Sequence, residues 1–340
     1  MIGELAIARY GLSPATTVEL LNVSENETYR VHDPATDLTA ALRVHRLDYH
    51  PPGAIGSELA WLDALRDEAG IRTPRVLPTA DGQRVVTVPD PTGGPARDCV
   101  LFEFLPGREP AADHLVADFE PLGALTARMH EHARHWRRPT GFVRFHWDAD
   151  AAFGTPAGPG RWGDWRVSPG IGPAEAEILE RLEKTLRTRL RRFGAGPERY
   201  GLIHADLRLA NLLVTDDYAR PPATVSSAPA AGPSGRQVSV IDFDDCGFGW
   251  YLYDLGAALS FVEHHPEVPA AIDAWVRGYR SVAPLTAEDE AELWTFVLFR
   301  RLLLVAWIGS HADVDIAAEL GAGYSQHSCT LADQYLSTHA

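Results

Sequence analysis

At 340 residues the chain is longer than one compact core of average size supports, and it suits one large or two joined domains. Its 46 acidic residues against 31 basic ones leave a formal charge of −15, which repels a nucleic-acid backbone over most of the surface and argues against that class of partner. Three cysteines, Cys99, Cys246 and Cys329, are odd in number, far apart and without metal-ligand spacing, which suits a reducing cytoplasm.

The first ten residues carry Glu4 and Arg9 and lack a basic start followed by an apolar block, so no signal peptide is expected. Short strands are predicted at Thr17 to Val23, Glu27 to Val31 and Thr39 to His45, the latter two joined by the turn-forming run Asp33-Pro-Ala-Thr-Asp37. Leu59, Leu62, Leu65 and Ala69 recur at helical spacing and predict a helix from Ile55 to Ala69 that ends at Gly70. Arg84 to Val88 and Asp98 to Phe104 are further strands around a loop dense in proline and glycine. From Pro110 onward the pattern turns helical, with amphipathic helices predicted over Leu122 to His135 and Glu175 to Phe193. Residues 219–236 have little to bury and predict a mobile loop joining two strands. The apolar run Leu293 to Ile308 carries Arg300 and Arg301 at its centre, where lipid would make them costly, so a core helix is expected and no membrane partner.

Chemistry concentrates in Gly201-Leu-Ile-His-Ala-Asp-Leu-Arg-Leu-Ala-Asn-Leu-Leu-Val214 and, after a spacer, Val238-Ser-Val-Ile-Asp-Phe-Asp-Asp245. His204, Asp206 and Asn211 stand in the order and spacing of the kinase catalytic loop HRDLxxxN, and Asp242 ends an apolar strand where a kinase keeps a metal-binding Asp. Phosphoryl transfer needs one carboxylate at a substrate hydroxyl, with an amide and a second carboxylate holding magnesium between the phosphates of ATP. These positions supply all three, with Asp206 as catalytic residue and Asn211 and Asp242 as metal ligands.

On those motifs, together with Asp254-Leu-Gly256, the chain resembles the aminoglycoside phosphotransferase and choline kinase-like superfamily, especially the branch of type II homoserine kinases and the stress-response kinase A group. The resemblance implies an α+β, two-lobed protein kinase-like fold: a nucleotide-covering β lobe with one helix over residues 1–104, and a mainly helical catalytic and acceptor lobe over 105–340. It implies adenine contacts at a hinge formed by Glu103, Phe104 and Leu105, and support of the catalytic loop by Asp254; His204 is expected to brace the loop rather than take part in chemistry. Two positions depart from the kinase pattern. Arg43 stands where the strand lysine would meet phosphate, with Glu58 as its expected partner, although both could be surface charges. Asn22 to Val31 contains no glycine, so Ser24 and Asn26 are the candidates for meeting phosphate oxygens, or for merely capping a turn.

Only about a dozen residues separate Asp242 from Asp254, too few for the long segment on which protein kinases seat peptides. A small hydroxylated acceptor is therefore expected: an amino alcohol, a sugar or an aminoglycoside-like antibiotic. A Ser/Thr protein kinase of the stress-response type and a nucleotide-binding pseudokinase are the alternatives. Asp148, Asp164, Trp162 and Asp244 are the candidates for neutralising and stacking on an amine-bearing acceptor, and packing of a proline- and glycine-rich connection explains the tryptophans as well.

Overall fold

The structure is a computed structural model that describes residues 2–23, 25–110, 114–215, 237–312 and 314–339. The segment expected as a mobile loop, 219–236, lies outside the described residues. The chain divides into two compact units: Met1–Arg108 with Arg137–Arg144 and Leu213–Asp244, and Glu109–Trp136 with Phe145–Leu212 and Asp245–Ala340. Two later segments thus group with the N-terminal hundred residues, a return that composition along the chain does not signal.

The first unit opens with helix α1 (Ile2–Ile7) and strands β1 (Thr17–Val23), β2 (Glu27–Asp33) and β3 (Leu38–Val44). Helix α2 (Ala54–Ala69) and strands β4 (Val76–Leu77), β5 (Val86–Val88) and β6 (Arg97–Glu103) follow. The strands form one antiparallel sheet in the order β1-β2-β3-β6-β4, with β5 also on β6. Between β2 and β3 the turn closes because the Asp33 carboxylate accepts the Ala35 N–H at 3.1 Å, while Asp37 takes a left-handed φ of 56°. Successive side chains of a strand point to opposite faces. In β3, Ala40, Leu42 and Val44 therefore enter a core with Ile7, Val31 and Leu101, and Arg43 is delivered to the other face. Helix α2 ends where expected: Gly70 takes φ 62° and its N–H caps the Leu65 carbonyl.

The second half of the chain supplies α3 (Leu115–His135), β7 (His146–Trp147), α4 (Ala149–Phe153), α5 (Pro173–Phe193), β8 (Tyr200–Ile203), β9 (Leu212–Thr215), β10 (Gln237–Val240) and β11 (Gly247–Trp250). Helices α6 (Tyr253–Ala258), α7 (Val268–Arg280), α8 (Ala287–Glu290), α9 (Leu293–Ser310) and α10 (Asp315–His339) complete it. β9 pairs with β10, and β11 lies between β7 and β8. Helix α3 starts at Leu115, earlier than expected from sequence, because Pro121 reads as a helix start yet sits inside the helix.

Two glycines let α3 and α7 meet backbone to backbone. A Cβ on Gly278 would lie 1.8 Å from the Glu120 carbonyl oxygen, and one on Gly123 would lie 2.1 Å from that of Trp275. Neither obstacle is a side chain that could swing away. Gly278→Ala is therefore expected to force the helices apart and destabilise the fold by about 3 kcal/mol, at the upper end for overpacking, read as a lowered urea midpoint with unchanged m.

Helix α9 is buried from Leu293 through Ile308 apart from the partly exposed Trp294, which is why the run is so apolar. Its two arginines are satisfied inside the unit. Arg301 donates to Glu263 (2.6 Å), Ser328 Oγ (2.7 Å) and the Tyr324 carbonyl (3.2 Å), the pairing that a buried guanidinium requires.

Candidate active site

In the first unit the other face of the sheet carries a cation between carboxylates. Arg43 donates through one terminal nitrogen to Glu58 Oε1 at 2.7 Å and through the other to Asp242 Oδ1 at 3.0 Å, with its guanidinium over the Phe102 ring. One fork thereby holds two acids, a geometry that a single ammonium does not reproduce. Glu58 is fully buried, fixed on α2 below the strand, whereas the Asp242 side chain remains 43% exposed. Burial works against the charge on Arg43, but Glu58, Asp242 and Asp244 outweigh it and raise its pKa. Asp242 itself has a left-handed φ of 61°, a strained backbone of the kind kept where a side chain must be aimed.

In the second unit the catalytic-loop pattern closes on itself. Asn211, at the end of a single 3₁₀ turn over Leu209–Asn211, donates its amide to the Asp206 carbonyl and to Asp206 Oδ2, each at 2.8 Å. Asp254, at the start of α6 and fully buried, accepts the backbone N–H groups of His204 (3.1 Å) and Ala205 (2.8 Å). Asp254 Oδ2, the oxygen that accepts the His204 N–H, also meets His130 Nε2 at 3.0 Å, and His130 Nδ1 reaches the Tyr279 hydroxyl. Burial lowers the pKa of His130 against the pull of Asp254. Ala205 takes φ 66°, so the loop is bent just before Asp206 and Asp254 holds the bend. His204 contributes Nδ1 as acceptor for the Asp206 N–H at 3.3 Å, a bracing contact within the loop.

Two residues not singled out from the sequence complete this cluster. Arg300 of α9 donates to Asp206 Oδ1 at 2.6 Å, to the Ala205 carbonyl at 3.1 Å and to the Tyr253 hydroxyl at 3.0 Å, while its Nε meets Ser260 Oγ. Arg208 donates to Asp206 Oδ2 at 3.2 Å. Burial of Asp206 favours its neutral form, yet the guanidinium groups of Arg208 and Arg300 overcome this and hold its carboxyl below the ordinary range. Arg208 was within reach of sequence reasoning, two positions after Asp206 in the loop. Arg300 was legible only as an anomaly, a charge in the middle of an apolar helix.

The remaining sequence candidates fall elsewhere. Asp148 spends its carboxylate capping α4, accepting the Asp150 and Ala151 N–H groups, and Asp164 caps the 3₁₀ turn Trp165–Val167 and pairs with Arg166. Both are N-cap residues, which accounts for them without an acceptor. Trp162 is buried against Trp147, and its ring carries the Arg300 guanidinium at 4.8 Å, so of this group it is the one that adjoins the Asp206 cluster. Asp244 is not an open acceptor group but a buried carboxylate among His45, His50 and Arg43 in the first unit. Asn26 hooks the chain after β3, its Oδ1 accepting the Arg46 N–H at 2.9 Å; Ser24 lies outside the described residues. Of the expected hinge, Glu103 pairs with Ala40 at the end of β6, Phe104 is exposed with the Arg30 guanidinium over its ring, and Leu105 is buried.

The donor chemistry suits a nucleotide with a divalent cation. Asn211 uses its amide N–H groups on Asp206 and keeps a carbonyl oxygen for a hard ion, and Asp242 offers a half-exposed carboxylate. Such an ion supplies charge neutralisation on phosphate oxygens.

A model of the phosphotransferase enzyme family matches residues 17–221 and 233–294 of the chain. A solved microcompartment-associated aminopropanol kinase is 46% identical, with a TM-score of 0.85 over 99% of this chain and 98% of its own. Amicoumacin kinase of Bacillus subtilis is 25% identical over 266 residues, 78% of this chain and 68% of its own. The structure of amicoumacin kinase hAmiN in complex with AMP-PNP, Ca2+ and Ami is 21% identical with a TM-score of 0.74, covering 98% and 93% of the two chains, and shares the fold.

Proposed function

Because the chain belongs to the phosphotransferase enzyme family, we propose that it is an ATP-dependent kinase that phosphorylates the hydroxyl of a small amino alcohol of the aminopropanol class, with magnesium as the divalent ion. The observation that carries the reading is the ionised Asp206, clamped by Asn211, Arg208 and Arg300 on a loop held by Asp254, in a chain 46% identical to an aminopropanol kinase over nearly its full length. The three buried thiols, Cys99, Cys246 and Cys329, are free, which supports action in the cytoplasm.

Asp206 would accept a hydrogen bond from the acceptor hydroxyl and orient its oxygen toward the γ-phosphoryl group, receiving the proton as the new P–O bond forms and the bond from the γ-phosphorus to the bridging oxygen of ATP breaks, with ADP as the leaving group. A loose, metaphosphate-like transition state asks for placement more than for a strong base, so a carboxylate with a depressed pKa suffices. Arg208, beside the same carboxylate, balances charge gathering on the transferred group. Asn211 of the second unit and Asp242 of the first are the residues that would hold the cation, which would neutralise phosphate charge, and Arg43, steadied by Glu58, would hold phosphate oxygens. Glu103 to Leu105 would contact the base.

The test is ADP release with ATP and magnesium against a panel of 1-amino-2-propanol, ethanolamine, choline, homoserine and aminoglycosides. Turnover of a short amino alcohol with a kcat/KM at least tenfold above the others is expected; preference for an aminoglycoside, or no transfer to any acceptor, contradicts the proposal. Arg43→Lys loses one arm of the fork, so the KM for ATP is expected to rise about tenfold, the worth of one charge-assisted bond at about 1.4 kcal/mol, with kcat changed little. Kinetics at varied ATP would show it.

A further inference from the structure

Beside the Arg43 cation, within the first unit, lies a second polar cluster that phosphoryl transfer does not use. Asp244 Oδ1 is 2.8 Å from His50 Nε2 and 3.2 Å from His45 Nδ1, and the three donor atoms all lie within 4.8 Å of one another. All three side chains are buried or nearly so, at 7%, 5% and 2% exposure. The imidazoles stand at 81° to each other, so they approach the carboxylate from different directions.

Among the described residues the buried His45 Nε2 has no hydrogen-bond partner, while its Nδ1 lies 3.2 Å from Asp244 Oδ1. A buried imidazole in that state has forgone several kcal/mol of solvation, a cost that a ligand on its lone pair would remove. We propose that His45, His50 and Asp244 form a binding site for a borderline divalent transition ion such as zinc, separate from the magnesium that accompanies ATP.

Charge permits it. Arg43 and Arg46 approach the Asp244 carboxylate only at 3.7 and 3.8 Å, and each already holds an acid of its own at 2.7 Å, Glu58 and Glu25. Arg144 grips the Asp244 and Ala54 backbone carbonyls. Four carboxylates, Glu25, Glu58, Asp242 and Asp244, face three guanidinium groups, so the surroundings hold one negative charge that a cation can take up. Two imidazoles and one carboxylate select zinc, cobalt or nickel over the hard magnesium ion and leave a fourth position for solvent. Bound there, the ion would staple the segment after β3 to the chain that follows β10, two residues beyond Asp242.

The test uses the whole protein with no affinity tag. After dialysis against zinc and then metal-free buffer, elemental analysis is expected to find about one zinc per chain, insensitive to millimolar magnesium. Cobalt in its place should give the visible bands of a four-coordinate ion. His45→Gln and His50→Ala, checked for fold by circular dichroism, should each weaken zinc binding roughly 100-fold. If either variant fails to fold, the wild-type cobalt spectrum and a loss of thermal stability on chelation decide the matter. Wild-type protein that retains well under one zinc and shows no four-coordinate cobalt bands overturns the site, as does zinc bound equally well by folded variants of both histidines.

Discussion

Asp206→Asn is expected to lower kcat about 1,000-fold while leaving ATP binding within twofold, because the amide keeps the shape of the carboxylate but accepts the hydroxyl proton poorly. Steady-state kinetics together with calorimetric titration of a nonhydrolysable ATP analogue separate the two quantities. Full-rate turnover by the variant would remove Asp206 from the mechanism. The substitution also strips the charge that Arg300 faces at 2.6 Å, and Arg300 is only 2% exposed. Some loss of stability is therefore expected beside the loss of rate, since a buried cation is left with neutral partners.

Arg300→Met is the complementary experiment. Its side chain fills similar volume but removes the donor to Asp206, the Ala205 carbonyl, Tyr253 and Ser260 together. About 3 kcal/mol of stability should be lost, the low end for breaking a buried pair, because Arg208 and Asn211 still reach Asp206. The pH dependence follows from the sign of the shift. The folded protein holds the Asp206 pKa below its ordinary value, so the stabilisation is present above the unfolded pKa of about 3.9 and is lost as pH falls through the folded one. Without Arg300 the folded pKa rises, and the acid limb of the kcat profile moves to higher pH. An unmoved acid limb in a folded Arg300→Met protein would show that Arg300 merely packs. In the double variant with Asp206→Asn the stability losses should sum to less than the two single losses, because one interaction is counted in both.

Arg300 is buried on α9 with its charge answered by Asp206, which accounts for an otherwise costly feature of that helix. Arg301 is likewise paired inside the unit, and its partner Glu263 is itself buried and also accepts from the Tyr324 hydroxyl at 3.1 Å. Burial and Glu263 push the Tyr324 hydroxyl well above its usual pKa, so it stays a donor at any working pH.

Much was legible along the chain. Alternation in Leu38–Val44 and helical spacing in Ala54–Ala69 placed Arg43 and Glu58 on a strand and a helix. The five-residue interval from Asp206 to Asn211 appeared as two 2.8 Å hydrogen bonds, because a local loop needs little beyond its own sequence to close. Residue type and spacing along one stretch determine such features: strand faces alternate, helix faces recur, and short loops fold on themselves.

Tertiary structure alone decided the rest. That Asp206 is answered by Arg300, 94 residues away, that Asp254 receives two loop amides, and that His45 and His50 meet Asp244 across some two hundred residues depends on which surfaces pack. It likewise turned Asp148 and Asp164, chosen for their charge beside tryptophans, into helix caps. A side chain's charge can be read from the sequence, but its partner is chosen by packing, and for a buried charge the partner decides both protonation state and role.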